Sequence, residues 1–282
     1  MLISHEKLQE INKVQVEILR AVSNVCQHLN IKFFMVHGSL LGTIRNHQFV
    51  PDDDDIDIAF FRKDYDIFMK NAPALLEEYY FVQTCKSDTG YPLEFGKVRD
   101  SRTTYIIEEA RHLKMNHGIY IDVFPIDNCK ENGTQARLLE LKYKLLNMRI
   151  AAVYDLRDES ILKKIVRFGA KLVFPSYSSA IRLREKLLTS CCESKYVRIS
   201  GGKAEEQHIP VCWFEKVIPD IFEGVNVFIP SEYDKYLTQI YGDYQKRTLI
   251  EDKISNNESI EINACAVDTV VSYTEFDKAY MS

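Results

Sequence analysis

The chain has 282 residues, 46% apolar and 27% charged, an ordinary globular composition that predicts one catalytic domain with a smaller appendage. Its net charge of -5 lacks the basic footprint that long nucleic acids require, which disfavours a nucleic-acid partner. Seven scattered cysteines without a CxxC pair indicate reduced thiols rather than disulfides or a zinc site. Charges in the opening MLISHEKLQEINK predict neither a signal peptide nor a membrane span, so the expected location is the cytoplasm.

The first part of the chain predicts an α+β fold with a mixed β-sheet core and flanking helices. Apolar residues three or four apart over 8–29 predict an amphipathic helix. A short strand over 32–36 follows and ends at Gly38 and Ser39, which form a tight turn into a second helix. Later segments predict a helix over 64–80 and strands over 55–61, 94–99, 103–108 and 118–124. The strands over 94–99 and 103–108 are expected to pair.

The expected organisation is a catalytic core over 1–130, a helical subdomain over 131–195 and a C-terminal mixed region over 196–282 that packs on the core. A Pro-Ser pair at 230–231 predicts the start of a late helix. The helical subdomain is basic, and we prefer to interpret it as a packed helix with a solvated face. The alternative is peripheral contact with an anionic inner membrane surface. The cations concerned are Lys163, Lys164, Arg167, Lys171, Arg182, Arg184 and Lys186.

An acidic run at 52–57 ends in the strand predicted over 55–61. Because side chains alternate along a strand, Asp55 and Asp57 are expected to project from one face. Paired carboxylates can hold Mg²⁺, or Mn²⁺, together with substrate phosphates. The competing interpretation is a solvated acidic loop.

The surroundings of the acidic run favour the metal-site interpretation. The turn at Gly38 and Ser39 presents backbone N–H groups and a hydroxyl where a phosphate can dock. Asp122 lies in an apolar strand and supplies a third carboxylate, as a metal ligand or as a general base. A salt bridge from Asp122 to Lys97 or Arg99 is the structural alternative, and Asp127 is predicted to be a turn residue.

Several basic residues of the core fit a phosphorylated donor. Lys97 and Arg99 are predicted on one strand face, and Arg45 ends the first turn after Gly38 and Ser39. Each could offset charge on a diphosphate during transfer, or pair structurally with the acidic residues. His37 is expected to be a packed side chain more readily than a catalytic one.

These motifs resemble the LicD family of phosphotransferases over residues 33–127. They are HGSLLGTIRNHQFVPDDDDIDIAFFRKDYDIF, FGKVRDSRTTY and GIYIDVFPID, and a later block, VCWFEKVIPDIFEGVNVFIPSEYDKYLTQIYGDY, resembles the family's C-terminal part. The resemblance implies a nucleotidyltransferase-like fold. It assigns Gly38 and Ser39 to the donor phosphates, Asp55 and Asp57 to the metal, and Asp122 to the later acid.

The resemblance further implies transfer of phosphocholine from CDP-choline to a cell-surface glycan or lipid-linked glycan, such as lipopolysaccharide or teichoic acid. A choline headgroup calls for aromatic faces, and the sequence does not choose among its candidates. These are Tyr91, Phe95, Tyr105, Tyr120, Phe124 and Trp213. Two other functions stay open: transfer of a nucleoside monophosphate from an NTP, and a non-catalytic nucleotide-binding module.

Overall fold

The computed structural model describes residues 1–131, 133–151, 168–169, 172–173, 176–191, 193–202, 206–246 and 259–280. Seven α-helices lie within these residues. They are α1 (His5–Leu29), α2 (His37–Asn46), α3 (Arg62–Leu75), α4 (Thr134–Ala151), α5 (Tyr177–Leu188), α6 (Tyr233–Tyr241) and α7 (Tyr273–Tyr280).

The same residues contain thirteen β-strands. They are β1 (Leu2–Ile3), β2 (Phe34–Met35), β3 (Asp57–Phe61), β4 (Tyr80–Gln83), β5 (Gly96–Asp100), β6 (Thr104–Ile106), β7 (Ile119–Cys129), β8 (Tyr196–Ile199), β9 (Ile209–Pro210), β10 (Val217–Phe222), β11 (Val225–Pro230), β12 (Ile260–Glu261) and β13 (Ala266–Asp268).

A seven-stranded mixed sheet forms the centre of the fold. Its main path runs β2-β3-β7-β5-β4, and β8 and β9 continue it beyond the end of β5. Only β3 and β7 pair in parallel, while the other neighbours are antiparallel. Helices α1 and α3 pack against each other and against this sheet. The predicted α+β architecture, a mixed sheet with flanking helices, is therefore confirmed.

Helix α1 ties the sheet to the segment that carries the acidic run. The Ser4 hydroxyl caps it by accepting from the Lys7 N–H, and Asn30 closes it in the left-handed region with φ 52°. Within its buried face, the Gln15 side-chain amide donates to the carbonyls of Asp54, at 2.7 Å, and Tyr120, at 3.2 Å. One helix thus fixes the chain immediately before β3 against β7.

Strand β7 is longer than predicted because Pro125 does not end it. The Pro125 carbonyl accepts from the Ser200 N–H at 3.0 Å. Because the nitrogen and the carbonyl of one strand residue point the same way, the Pro125 nitrogen faces the edge of β7 that pairs with β5 and β8. On that edge β5 pairs with β7 only as far as Val123, and β8 begins to pair at Ile126. The missing N–H therefore falls in the gap between two partner strands, where it costs no ladder bond. Asp127, predicted as a turn residue, lies within β7.

Two other local predictions were wrong. The strands predicted over 94–99 and 103–108 do not pair with each other, because β5 lies between β4 and β7 while β6 pairs with β13 from the distant C-terminal region. The helix predicted to residue 80 ends at Leu75, two residues after Pro73. Tyr80 instead begins β4, which periodicity did not reveal.

The structure describes part of the predicted helical subdomain and most of the cysteines. Helices α4 and α5 fall inside the predicted helical segment, and the division into domains stays a prediction. The predicted basic residues Lys163, Lys164, Arg167 and Lys171 lie outside the described residues. Within the described part of the chain, every helix is too short or too polar to span a membrane. The cysteines in that part are free thiols.

We expect the ion pair between Arg62 and Asp127 to be a main stabilising contact between α3 and β7. Arg62 Nε and Nη2 donate to the buried carboxylate at 2.6 and 2.7 Å. Arg62→Met should lower the free energy of unfolding by about 2–4 kcal/mol, because it leaves Asp127 charged and buried. Asp66, 65% exposed and 3.6 Å from Arg62, provides the control, since Asp66→Asn should cost less than about 0.5 kcal/mol. Equal effects of the two variants in urea unfolding would contradict this expectation.

Candidate active site

Three carboxylates meet at the start of β3. Asp57 is the first residue of β3 and pairs in register with Asp122 of β7, so both side chains lie on one face of the sheet. Asp55 lies two residues before β3 begins rather than within it. Each of the three offers a carboxylate oxygen, and these oxygens lie within 4.8 Å of one another. The expected proximity of Asp55 and Asp57 is therefore present, although their common strand face is not.

The carboxylates repel one another in a poorly solvated place. The neighbouring charge of Asp57, followed by burial, raises the pKa of Asp55 well above its ordinary value. Burial raises the pKa of Asp122 as well. A bound cation would relieve both effects, and clustered carboxylate oxygens are the ligands that hard divalent ions take. The three residues present therefore fit a divalent metal.

Lys97 is the cation that the fold places beside this cluster. It pairs with Asp122 across the β5–β7 ladder, and its Nζ donates to Asp122 Oδ1. Burial lowers the pKa of Lys97, while Nζ lies 3.4 Å from the centre of the Tyr120 ring. The salt bridge that the sequence offered as an alternative for Asp122 is thus formed with Lys97. It engages one carboxylate oxygen and leaves the second for another ligand.

The two arginines expected near the donor occupy different places. Arg99 is 1% exposed, and its guanidinium donates to the Gln83 side chain at 2.5 Å and the Gly118 carbonyl at 2.6 Å. Its hydrogen bonds therefore hold β4 and the residue before β7 rather than reach an open surface. Arg45 donates to the carbonyl of Tyr244 and to that of Lys246, at 3.1 Å, which joins α2 to the segment after α6.

Gly38 and Ser39 lie in the first turn of α2, directly beside the acidic run. The Ser39 hydroxyl is 1% exposed and accepts from the Asp57 N–H at 2.9 Å. A Cβ on Gly38 would come within 2.4 Å of Asp53 Oδ2, so a larger residue there would displace the Asp53 carboxylate. The turn therefore fixes the start of β3, and its assignment to donor phosphates stays a prediction.

A buried histidine links the cluster to a residue that the sequence did not single out. His37 Nδ1 lies 3.2 Å from Asp57 Oδ2, and Nε2 lies 2.5 Å from Glu206 Oε2. Tyr236 donates its hydroxyl to the other oxygen of Glu206. Burial opposes ionisation of His37, but the two carboxylates outweigh it and raise its pKa to about 10. His37 is packed, as predicted, and its packing positions Asp57.

No local signal pointed to Glu206. It lies 169 residues after His37, and no described motif surrounds it. The sequence did contain a signal for Tyr236, since this residue falls in the C-terminal block that carries the family resemblance. The described contacts show why that block matters: α6 supplies the hydroxyl that holds Glu206 against His37.

The six aromatic residues considered as contacts for a choline headgroup differ in burial. Tyr91, Tyr105, Tyr120 and Phe124 are buried, whereas Phe95 and Trp213 are half-buried. The hydroxyl of Tyr105 donates to the Asp54 carboxylate, so this ring supports the acidic run. Phe95 packs on Phe124 with ring centres 4.4 Å apart, and among these candidates it is a partly accessible ring near Lys97.

We expect Ser39→Ala to destabilise the protein by about 1–3 kcal/mol, because the buried Asp57 N–H loses its acceptor. Ser178, exposed on α5, provides the control, and Ser178→Ala should change the unfolding free energy by less than about 0.5 kcal/mol. Urea unfolding measures both. A Ser39→Ala protein with unchanged stability would show that the hydroxyl has no structural role.

Comparison with known proteins agrees with the site. Residues 30–157 match a family model described as LicD/FKTN/FKRP, nucleotidyltransferase domain. The chain is also 25% identical over 253 residues to the lipopolysaccharide cholinephosphotransferase LicD of Haemophilus influenzae, a match that spans 87% of this chain and 94% of the relative. The match to the family model covers all three carboxylates and His37. The chain is therefore a phosphotransferase that carries a LicD-family domain over residues 30–157.

Proposed function

We propose that this enzyme transfers a phosphorylated alcohol, phosphocholine in the first instance, from a CDP-linked donor to a sugar hydroxyl of a cell-surface glycan or its precursor. The observation that carries the proposal is the convergence of Asp55, Asp57 and Asp122 in a LicD-family chain. The choice of phosphocholine and of a glycan acceptor is supported by the Haemophilus influenzae relative, whose name states lipopolysaccharide cholinephosphotransferase.

Asp55, Asp57 and Asp122 would hold Mg²⁺ in this reaction. When bound, the ion would neutralise charge on the donor diphosphate and polarise its phosphoryl oxygens. The surrounding residues hold the carboxylates in place. Ser39 fixes the backbone of Asp57, His37 orients its side chain, and Lys97 orients Asp122.

The proposed transfer is a substitution at phosphorus, in which one bond to phosphorus forms and one breaks. The acceptor oxygen forms a bond to the phosphorus of phosphocholine, and the bond from that phosphorus to the oxygen of CMP breaks. The acceptor proton passes to a nearby base, and Asp122 is the candidate, either in that role or as a metal ligand. Loose phosphoryl transition states depend on positioning and on charge rather than on covalent catalysis.

A cavity near the cluster has room for a choline headgroup. It measures about 300 Å³ and is bordered by Phe95 and by Tyr143 of α4. Phe95 also lies 5.4 Å from Lys97 Nζ, which is bonded to Asp122. Aromatic faces of this kind bind quaternary ammonium groups.

Neutralising the carboxylates separately tests the metal site. Asp55→Asn and Asp57→Asn should each lower kcat by about 100-fold or more, since a lost carboxylate weakens both metal binding and charge stabilisation. CMP release from CDP-choline, measured across an Mg²⁺ titration, follows the effect. EDTA should abolish the activity and added Mg²⁺ should restore it.

Asp52→Asn is the matched control, because it makes the same chemical change within the same acidic run but outside the cluster. Asp52 has φ 69°, a conformation that asparagine accepts readily. Its kcat should stay within a factor of about two. Normal turnover of every accepted donor by the doubly substituted Asp55→Asn, Asp57→Asn protein would refute the proposed chemistry.

The donor is identified by a thermal-shift screen of CDP-choline, CDP-ribitol, CDP-glycerol and NTPs, each with and without Mg²⁺. We expect CDP-choline with Mg²⁺ to give the largest rise in Tm, because a ligand that binds the folded state stabilises it by mass action. Phosphorus NMR then identifies the product. Pyrophosphate release from an NTP would replace the proposal with nucleotidyl transfer, and no binding of any donor would favour a non-catalytic module.

A further inference from the structure

Helix α4 presents apolar residues on two sides. On one side Leu146 and Ile150 are buried against α5, where they meet Ala180. On the other side Leu138 is 67% exposed and Leu141 is 55% exposed. These two leucines are three residues apart and so are neighbours on the helix surface. A helix with apolar residues on two sides is expected to contact a second apolar surface besides the one it shares with α5.

Further large apolar side chains are exposed in the same part of the chain. Phe168, Leu172 and Val173 are each 65% exposed or more. Scattered exposed apolar residues are normal on a protein surface, so the adjacent pair Leu138 and Leu141 on α4 is the feature that needs an explanation.

The sequence segment that carries α4 and α5 is strongly basic. Residues 134–191 contain twelve Lys and Arg against five Asp and Glu, a net charge of +7, while the whole chain carries -5. The exposed cations on α4 and α5 are Arg137, Lys142, Lys144, Arg182 and Lys186. The two carboxylates on these helices, Glu140 and Glu185, already form ion pairs with Lys144 and Lys86. The segment is thus a basic region on an acidic protein.

We propose that α4 docks on an anionic membrane surface, with Leu138 and Leu141 in the interfacial layer and Arg137 and Lys142 at the lipid phosphates. Exposed leucines flanked by cations are the combination that anionic bilayers bind, through apolar burial and electrostatic attraction together. The acidic remainder of the chain would be repelled by the same surface, which orients the protein with α4 toward the lipid.

A short series of contacts connects α4 to the active site. The hydroxyl of Tyr143 on α4 donates to Glu94, and Arg184 of α5 lies 3.4 Å from the same carboxylate. The next residue, Phe95, packs on Phe124 of β7, two residues after Asp122. Tyr143 lies on the side of α4 opposite to Leu138 and Leu141, so docking would leave this one helix between the bilayer and the contacts that lead to the cluster. If the proposed function holds, this is where a lipid-linked glycan acceptor would be met.

Co-sedimentation of the full chain with vesicles tests the docking. The wild type should bind vesicles of phosphatidylglycerol and phosphatidylcholine in equal parts at least about tenfold more tightly than pure phosphatidylcholine, and the difference should shrink at high ionic strength. The double variant Leu138→Gln, Leu141→Gln should reduce the partition coefficient on anionic vesicles by about tenfold or more. Arg137→Gln with Lys142→Gln should reduce it on anionic vesicles alone.

Leu75→Gln is the matched control, since Leu75 is a 41% exposed leucine at the end of α3, and binding should be unchanged. Three results would overturn the proposal: no vesicle binding by the wild type, equal binding by the wild type and the leucine variant, or a wild-type dimer that the leucine variant converts to a monomer without any lipid effect. CMP release in solution should be unaffected by the leucine variant, so a failure of docking is distinguished from a failure of the proposed chemistry.

Discussion

The register across β3, β7 and β5 is the constraint on which the rest of the structure depends. It places Asp57 opposite Asp122 and Asp122 opposite Lys97, so that two carboxylates and one ammonium form a row on one face of the sheet. A slip of one residue would send each side chain to the opposite face. The strand register therefore determines which charged groups meet in the site.

Buried charge of this kind requires support from every side, and the fold provides it with ordinary hydrogen bonds. Ser39 accepts from the backbone of Asp57, and His37 bridges Asp57 to Glu206. From the other face of the fold, Gln15 secures the chain before β3 and the backbone of β7. These contacts hold the carboxylates in one arrangement although their charges repel, which is the preorganisation that the proposed metal site would need.

The region beyond the catalytic strands has two distinct roles. The C-terminal part contributes Glu206 and Tyr236 to the support of the cluster, and it adds β8 to the sheet beside the second half of β7. Helices α4 and α5 instead expose apolar and basic side chains, and α4 reaches the site through Tyr143 and Glu94. The C-terminal part thus supports the carboxylate cluster, and α4 connects the cluster to the surface proposed to dock on a membrane.

The sequence by itself determined the α+β class, helix α1 and the identity of the three carboxylates, because local periodicity and a cluster of motifs in order carry that information. It did not determine which cation pairs with Asp122, since Lys97 and Arg99 share a strand face and only the ladder register separates them. Nor did it reveal Glu206, the pairing of β6 with β13, or the passage of β7 through Pro125. Each of these depends on residues far apart in the chain, and contacts of that kind are decided by tertiary packing rather than by local pattern.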